Sequence, residues 1–270
     1  MKTRIISGAV FTVLLALVFF VLPSIVAAIA VMLLCAIASY ELLYATGLVK
    51  NARLNIFSVV MAALVALWSF GGWDYPLMLL GILLYTVVLF SELLRTSGKT
   101  PASEIAFCLL SGFVIPFLLS ALLRIRNAHN GQLSLLIPFI MAYCSDTGAY
   151  FIGIRFGKHK MCPTISPKKS WEGFFGGIAV AVISMLIYGV IMATVADKQV
   201  NFVYVMFYGL VGALGSVFGD LMMSVIKRQV GIKDYGKLIP GHGGILDRFD
   251  SVLITAPLTE ALLLLLPLMV

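Results

Sequence analysis

Charge is scarce in this chain. Asp, Glu, Lys and Arg supply 11% of its 270 residues, hydrophobic residues supply 61%, and mean hydropathy is +1.06. A soluble globular domain carries about 25% charged residues, so this composition excludes one. Cysteine is scarce too. Cys35, Cys108, Cys144 and Cys162 are scattered and form no CxxC pair, which argues against a zinc site and a disulfide framework. No linker, low-complexity tract or clear internal repeat breaks the chain, so it reads as one membrane domain, residues 1–270. Residues 1–130 are its apolar N-terminal helices, and 131–270 is the half expected to carry the chemistry. No small-residue cleavage site follows the first apolar run and a second run begins at once, so the first is expected to be a span rather than a signal peptide. A Walker A loop is missing as well. In GIRFGKHK, Gly153 stands one residue too near Gly157, and His159 occupies the place of the required Ser or Thr.

What the chain has in abundance is apolar runs. Nine candidate spans cover residues 5–22, 24–46, 54–72, 75–93, 104–123, 133–153, 174–195, 202–226 and 251–270. Each is near the roughly 20 residues that cross about 30 Å of hydrocarbon as a helix. Lipid offers no partner to a free backbone group, so helix is the expected form. The fold class is therefore all-α, a polytopic integral membrane protein. The basic residues support the count. With nine spans, all but Arg124, Arg126 and Lys198 of the 19 lysines and arginines fall on one side, which the positive-inside rule makes cytoplasmic. The two richest polar stretches, 154–173 and 227–250, fall on that same face, where both can contribute to one site.

Acids inside apolar spans are expensive and point to function or pairing. Glu41 and Glu260 stand alone in their segments, whereas Asp146 sits in the polar run YCSDTGAYF. Asp220 follows the small residues Gly212, Gly215, Ser216 and Gly219, which let a neighbouring helix come close. Asp220, Ser224, Lys227 and Arg228 fall on one helical face and make a polar stripe about 10 Å long from Asp220 to Lys227. Beyond it lie Lys233, Lys237 and PGHGGILDRFD, in which glycines permit tight turns. Asp247 and Asp250 are three apart, sharing a face on a helical turn. With Asp220 they suit a hard cation that keeps water and phosphate oxygens in its shell. The lysines and arginines, Lys168 and Lys169 of ISPKKSWEG among them, suit a polyphosphate, and metal-assisted phosphate chemistry follows.

SVIKRQVGIKDYGKLIPGHGGILDRFD, Ser224 to Asp250, resembles the signature of the phosphatidate cytidylyltransferases (CDP-diacylglycerol synthases), with every fixed position filled. SDTGAYFIG and SPKKSWEG also resemble segments of that family, while spans one to five match it only in being apolar. The resemblance implies that CTP and phosphatidate give CDP-diacylglycerol and pyrophosphate, with Mg2+ required and a second cation as an option. It implies Asp220, Asp247 and Asp250 as metal carboxylates and catalytic groups, with Lys227 beside them. Ser224, Lys227, Arg228, Lys233 and Lys237 would hold phosphates, and Arg248 would join the substrate contacts. His242 would bind a phosphate or the nucleotide, or shape the loop. Lys168 and Lys169 would meet CTP or the lipid headgroup, and Asp146 would complete the polar cavity. The partners are then CTP and the membrane lipid, with no nucleic acid. The expected place is the cell inner membrane, with the site facing the cytoplasm.

A homodimer is a further expectation, because the glycines of span eight and the large apolar surface offer packing faces. Two rival readings fit less of the chain. An intramembrane aspartyl protease pairs two membrane aspartates, but Asp146 follows Ser145 rather than Tyr, and Val-Phe-Gly-Asp at 217–220 does not complete Gly-x-Gly-Asp. A transporter with midmembrane acids predicts symmetry between halves, and here the polar cluster is confined to the C-terminal half.

Overall fold

The structure is a computed structural model that describes residues 2–72, 75–239, 241 and 243–269, with side chains from Ser7 onward. Seven of its helices are long and apolar enough to cross a membrane. They are α2 (Ser24–Ala45), α3 (Ala52–Gly71), α4 (Tyr75–Arg95), α5 (Ala102–Asn127), α6 (Gly131–Phe156), α7 (Trp171–Thr194) and α8 (Phe202–Val230). Preceding them is α1, apolar over Ser7–Val21, and after α8 come the single turn α9 (Leu246–Phe249) and α10 (Val252–Leu265). The chain is thus a helical, polytopic membrane protein. The seven long helices match expected spans two to eight within a few residues. The runs expected as the first and last spans form the shorter helices α1 and α10. The end of α10 has a local cause: Leu266 precedes Pro267, and a residue before proline is pushed out of the helical region.

Two departures from regular helix matter for the site. Four π turns interrupt the spans, at Leu17–Val21, Glu41–Ala45, Leu110–Val114 and Ile140–Cys144. Those at 110–114 and 140–144 lie beside Pro116 and Pro138, which remove a ladder donor and loosen the local helix. The π turn that begins at Glu41 has no proline near it. The second departure is a small antiparallel hairpin, β1 (Lys160–Cys162) with β2 (Ser166–Ser170), inside what the sequence presents as a polar loop. Ser170 then caps α7, its hydroxyl accepting the amide of Gly173 at 3.2 Å, and starts the helix at Trp171 rather than 174.

The chain divides into two compact units. The first comprises Met1–Gln132 with Val230–Phe249. Its core gathers Leu43, Leu54, Val65, Tyr85, Leu89 and Cys108. There the Tyr85 hydroxyl lies 2.8 Å from the Ser58 hydroxyl and donates to the Cys108 carbonyl at 2.7 Å, so a buried polar group is satisfied. The second unit comprises Leu133–Gln229 with Asp250–Val270, around Met141, Met185, Tyr188, Val205, Tyr208 and Leu262. In it α6 and α7 pack closely because Gly173 and Gly177 leave no room for a Cβ against the carbonyls of Ala149 (2.7 Å) and Ser145 (2.8 Å). On α8, a Cβ would meet Met141 at Gly212, Ile254 and Leu258 at Gly215, and the Asp250 carbonyl, at 2.5 Å, at Gly219. The glycine face of α8 is therefore used inside the unit, and a homodimer would have to form on another face.

Candidate active site

In the second unit the polar residues of α6, β2, α8 and the residues just before α10 converge. Asp220 Oδ2 receives the Lys169 ammonium at 2.6 Å, and both side chains are mostly shielded, at 25% and 22% exposure. Asp250 is close enough to Asp220 for the two carboxyls to act on each other electrostatically. Lys227, 8% exposed, acts electrostatically on both acids. One turn along α8 from Asp220, the Ser224 hydroxyl lies 3.4 Å from Asp220 Oδ1. Asp146 is held by two hydroxyls, Ser216 to Oδ1 at 3.3 Å and Ser251 to Oδ2 at 3.1 Å. Asp146 also adds its field to Asp250. Burial first, and the charge of Asp220 second, push the Asp250 carboxyl up to about 8, with Lys227 opposing. The two carboxyls so placed share a proton more readily than they share two negative charges.

A cavity of about 250 Å³ opens beside this cluster. Its lining includes the charged Asp146, Asp220, Lys168 and Lys169 and the apolar Tyr150, Met161 and Phe174. Lys168 is exposed and Lys169 half-buried. The hairpin places both lysines, and its register is held from two directions. Glu172 accepts the amide of Lys158 at 3.1 Å and lies 2.6 Å from His159 Nδ1. Arg228 donates through Nε to the Ile165 carbonyl at 3.1 Å. Arg228, expected at a phosphate, braces the hairpin turn through this bond. Glu172, Tyr150, Ser166 and Phe174 are not among the expected site residues. The signal for Glu172 is its place two residues after the capping Ser170, in the first turn of a helix, where an acid is favoured.

The first unit holds the other expected residues. Asp247, 6% exposed on α9, accepts the amides of Tyr235 at 2.8 Å and Gly244 at 3.0 Å through Oδ2. These bonds close the segment from 235 to 247 into a loop, with the Ile239 amide bonded to the Gly243 carbonyl inside it at 2.9 Å. Gly243, at φ +86°, adopts a conformation that only glycine takes freely. Lys233 and Lys237 are exposed, and Arg248 is half-buried. His242 lies outside the described residues. The structure thus brings Asp146, Lys168, Lys169, Asp220, Ser224, Lys227 and Asp250 together in one unit. Lys233, Lys237, Asp247 and Arg248 belong to the other.

Among the described residues no three His, Cys, Asp or Glu side chains are arranged to hold a metal ion. Asp220 and Asp250 nevertheless offer paired oxygen donors. A hard cation such as Mg2+ commonly takes one or two carboxylates and fills the rest of its octahedral shell with water and substrate phosphate. The donor set fits that class of ion.

A family model described as the cytidylyltransferase family matches residues 2–266. The phosphatidate cytidylyltransferase of Staphylococcus haemolyticus is 34% identical over 235 residues, 86% of this chain and 87% of that protein. That of Staphylococcus epidermidis is 34% identical over 194 residues, 72% of each chain. That of Haemophilus influenzae is 36% identical over 185 residues, 66% of this chain and 62% of that protein. The chain, matched from residue 2 to residue 266 and 34% identical to one such enzyme over 86% of its length, belongs to the cytidylyltransferase family.

Proposed function

We propose that this protein is a phosphatidate cytidylyltransferase, joining CTP to phosphatidate to give CDP-diacylglycerol and pyrophosphate. The observation that carries the reading is the cavity lined by Lys168, Lys169, Asp220 and Asp146 together with the apolar Tyr150, Met161 and Phe174. A ligand that is anionic at one end and greasy at the other suits such a lining. The reading also has the support of the relatives' names and of the Ser224–Asp250 stretch. The asymmetry of basic residues supports a cytoplasmic opening, where CTP is available. Acyl chains stay in lipid.

An oxygen of the lipid phosphate forms the new bond to the α-phosphorus of CTP, and the bond from that phosphorus to the pyrophosphate oxygen breaks. The attacking group is already an anion at neutral pH, so no strong general base is needed. Repulsion between two anions is the obstacle. Lys168 and Lys169 lower it at the cavity wall, and Lys227 does so from its buried place beside Asp220 and Asp250. When substrate phosphate takes Lys169, the Asp220 oxygen that held it becomes available to a cation. Asp220 and Asp250 would hold magnesium, which supplies positive charge to the phosphate oxygens. Purified protein in liposomes containing phosphatidate, given CTP and magnesium, should release pyrophosphate and form CDP-diacylglycerol in equal amounts. Absence of both products in liposomes and in detergent would defeat the reading.

The raised Asp250 carboxyl gives this reading a pH signature. Burial and the charge of Asp220 favour the protonated form of this group, and a carboxylate must lose its proton before it can take a cation. The magnesium concentration for half-maximal rate should therefore fall as pH rises from about 7 to 8, by up to roughly tenfold for one displaced proton. Initial rates over a magnesium series at each pH measure it, and a flat dependence would remove Asp250 from the cation site.

A further inference from the structure

Glu41 is buried at 3% exposure on α2, in an apolar span far from any acid in sequence. A carboxylate in such a place needs partners for both oxygens. It has them within the first unit. Oε1 accepts the amide of Ile245 at 3.0 Å, and Oε2 accepts the amide of Leu246 at 2.9 Å. These are backbone donors at the start of α9, where a helix has no partners of its own to offer. The carboxylate caps that turn from 204 and 205 residues away along the chain. Gly236 and Gly244 close around the same group, since a Cβ on either would overlap the Glu41 carboxylate. The π turn Glu41–Ala45 starts at this residue with no proline to cause it, and π turns often mark functional positions.

We propose that Glu41 is a positioning residue for the transferase reaction: it fixes the 235–247 loop by its two backbone bonds, so that Asp247 is presented in one orientation. Asp247 closes the loop on Tyr235 and Gly244, and Glu41 holds the two residues between Gly244 and Asp247. The loop is therefore braced by two carboxylates, one inside it and one from α2. Glutamine can accept only one of the two amides while turning an N–H toward the other. Aspartate keeps the charge but falls one methylene short. This role rests on the proposed function, because the loop carries residues of the Ser224–Asp250 stretch.

The test uses the full chain in lipid nanodiscs and reads two quantities. Glu41→Gln should lower kcat by about 10- to 100-fold, as a misplaced group does, and leave KM for CTP within about twofold. Amide hydrogen exchange should quicken at Ile245 and Leu246 while the amides of α7 keep their protection. Glu41→Asp should behave alike. Wild-type kcat in Glu41→Gln, or faster loop exchange with unchanged kcat, would overturn the positioning role. If Glu41→Gln loosens the whole chain, Gly244→Ala tests the contact from the loop side. It should lower kcat with faster exchange confined to the loop, and full activity there would overturn the proposal. A wild-type chain with no transferase activity would sink the functional reading instead, and the exchange result would still show whether Glu41 anchors the loop.

Discussion

Asp220→Asn is expected to lower turnover by about 10²- to 10³-fold with the protein still folded. Asparagine has the same size and keeps an oxygen acceptor, so the packing of α8 is unchanged. What disappears is the negative charge. Lys169 then loses the partner it meets at 2.6 Å, Lys227 loses one of the two acids it serves, and Asp250 loses the neighbouring negative charge that acts on it. In the proposed reaction the variant also loses half of the paired oxygen donors for a cation. Turnover at saturating CTP and phosphatidate, compared in preparations with equal melting temperature, measures the loss. Undiminished turnover would take Asp220 out of the chemistry.

Asp247→Asn should cost on the order of 10²-fold, and here the comparison with alanine is the informative part. Asp247 Oδ2 accepts two amides, from Tyr235 and Gly244. An asparagine can turn its one oxygen to both donors and keep the loop closed, at the cost of the charge. Alanine loses the charge and the closure together. If the carboxylate serves catalysis, both variants are slow, and limited proteolysis cuts the loop faster only in Asp247→Ala. Should Asp247→Asn be fully active while Asp247→Ala is dead, Asp247 is a brace of the loop and nothing more.

The long helices could be read directly from the chain because a membrane span is a matter of length and composition. Ser24–Ala45 and Tyr75–Arg95 begin where their apolar runs begin. The ends were harder. Trp171 starts α7 because Ser170 caps it, and a cap hidden in a run of lysines gives a weak signal. The hairpin 160–170 has no alternation of apolar and polar residues, so nothing in its sequence suggests strands. Among the site residues, type and position were legible and pairing was not. The lysine doublet gave no hint that Lys169 meets Asp220 while Lys168 stays exposed. Arg228 lies on the expected face of α8, yet its Nε goes to a backbone carbonyl of the hairpin. Glu41 could not be understood from its own segment, since both of its partners lie more than 200 residues away.

Direct transfer of the nucleotidyl group to the lipid phosphate is the central claim. Single-turnover mixing of the protein, in liposomes containing phosphatidate and magnesium, with CTP labelled at the α-phosphorus tests it most directly. Label should pass from CTP to the lipid fraction as CDP-diacylglycerol, with unlabelled pyrophosphate released at the same rate and no label on the protein at any time. Label trapped on the protein before it reaches lipid, or released without ever entering lipid, would contradict the account.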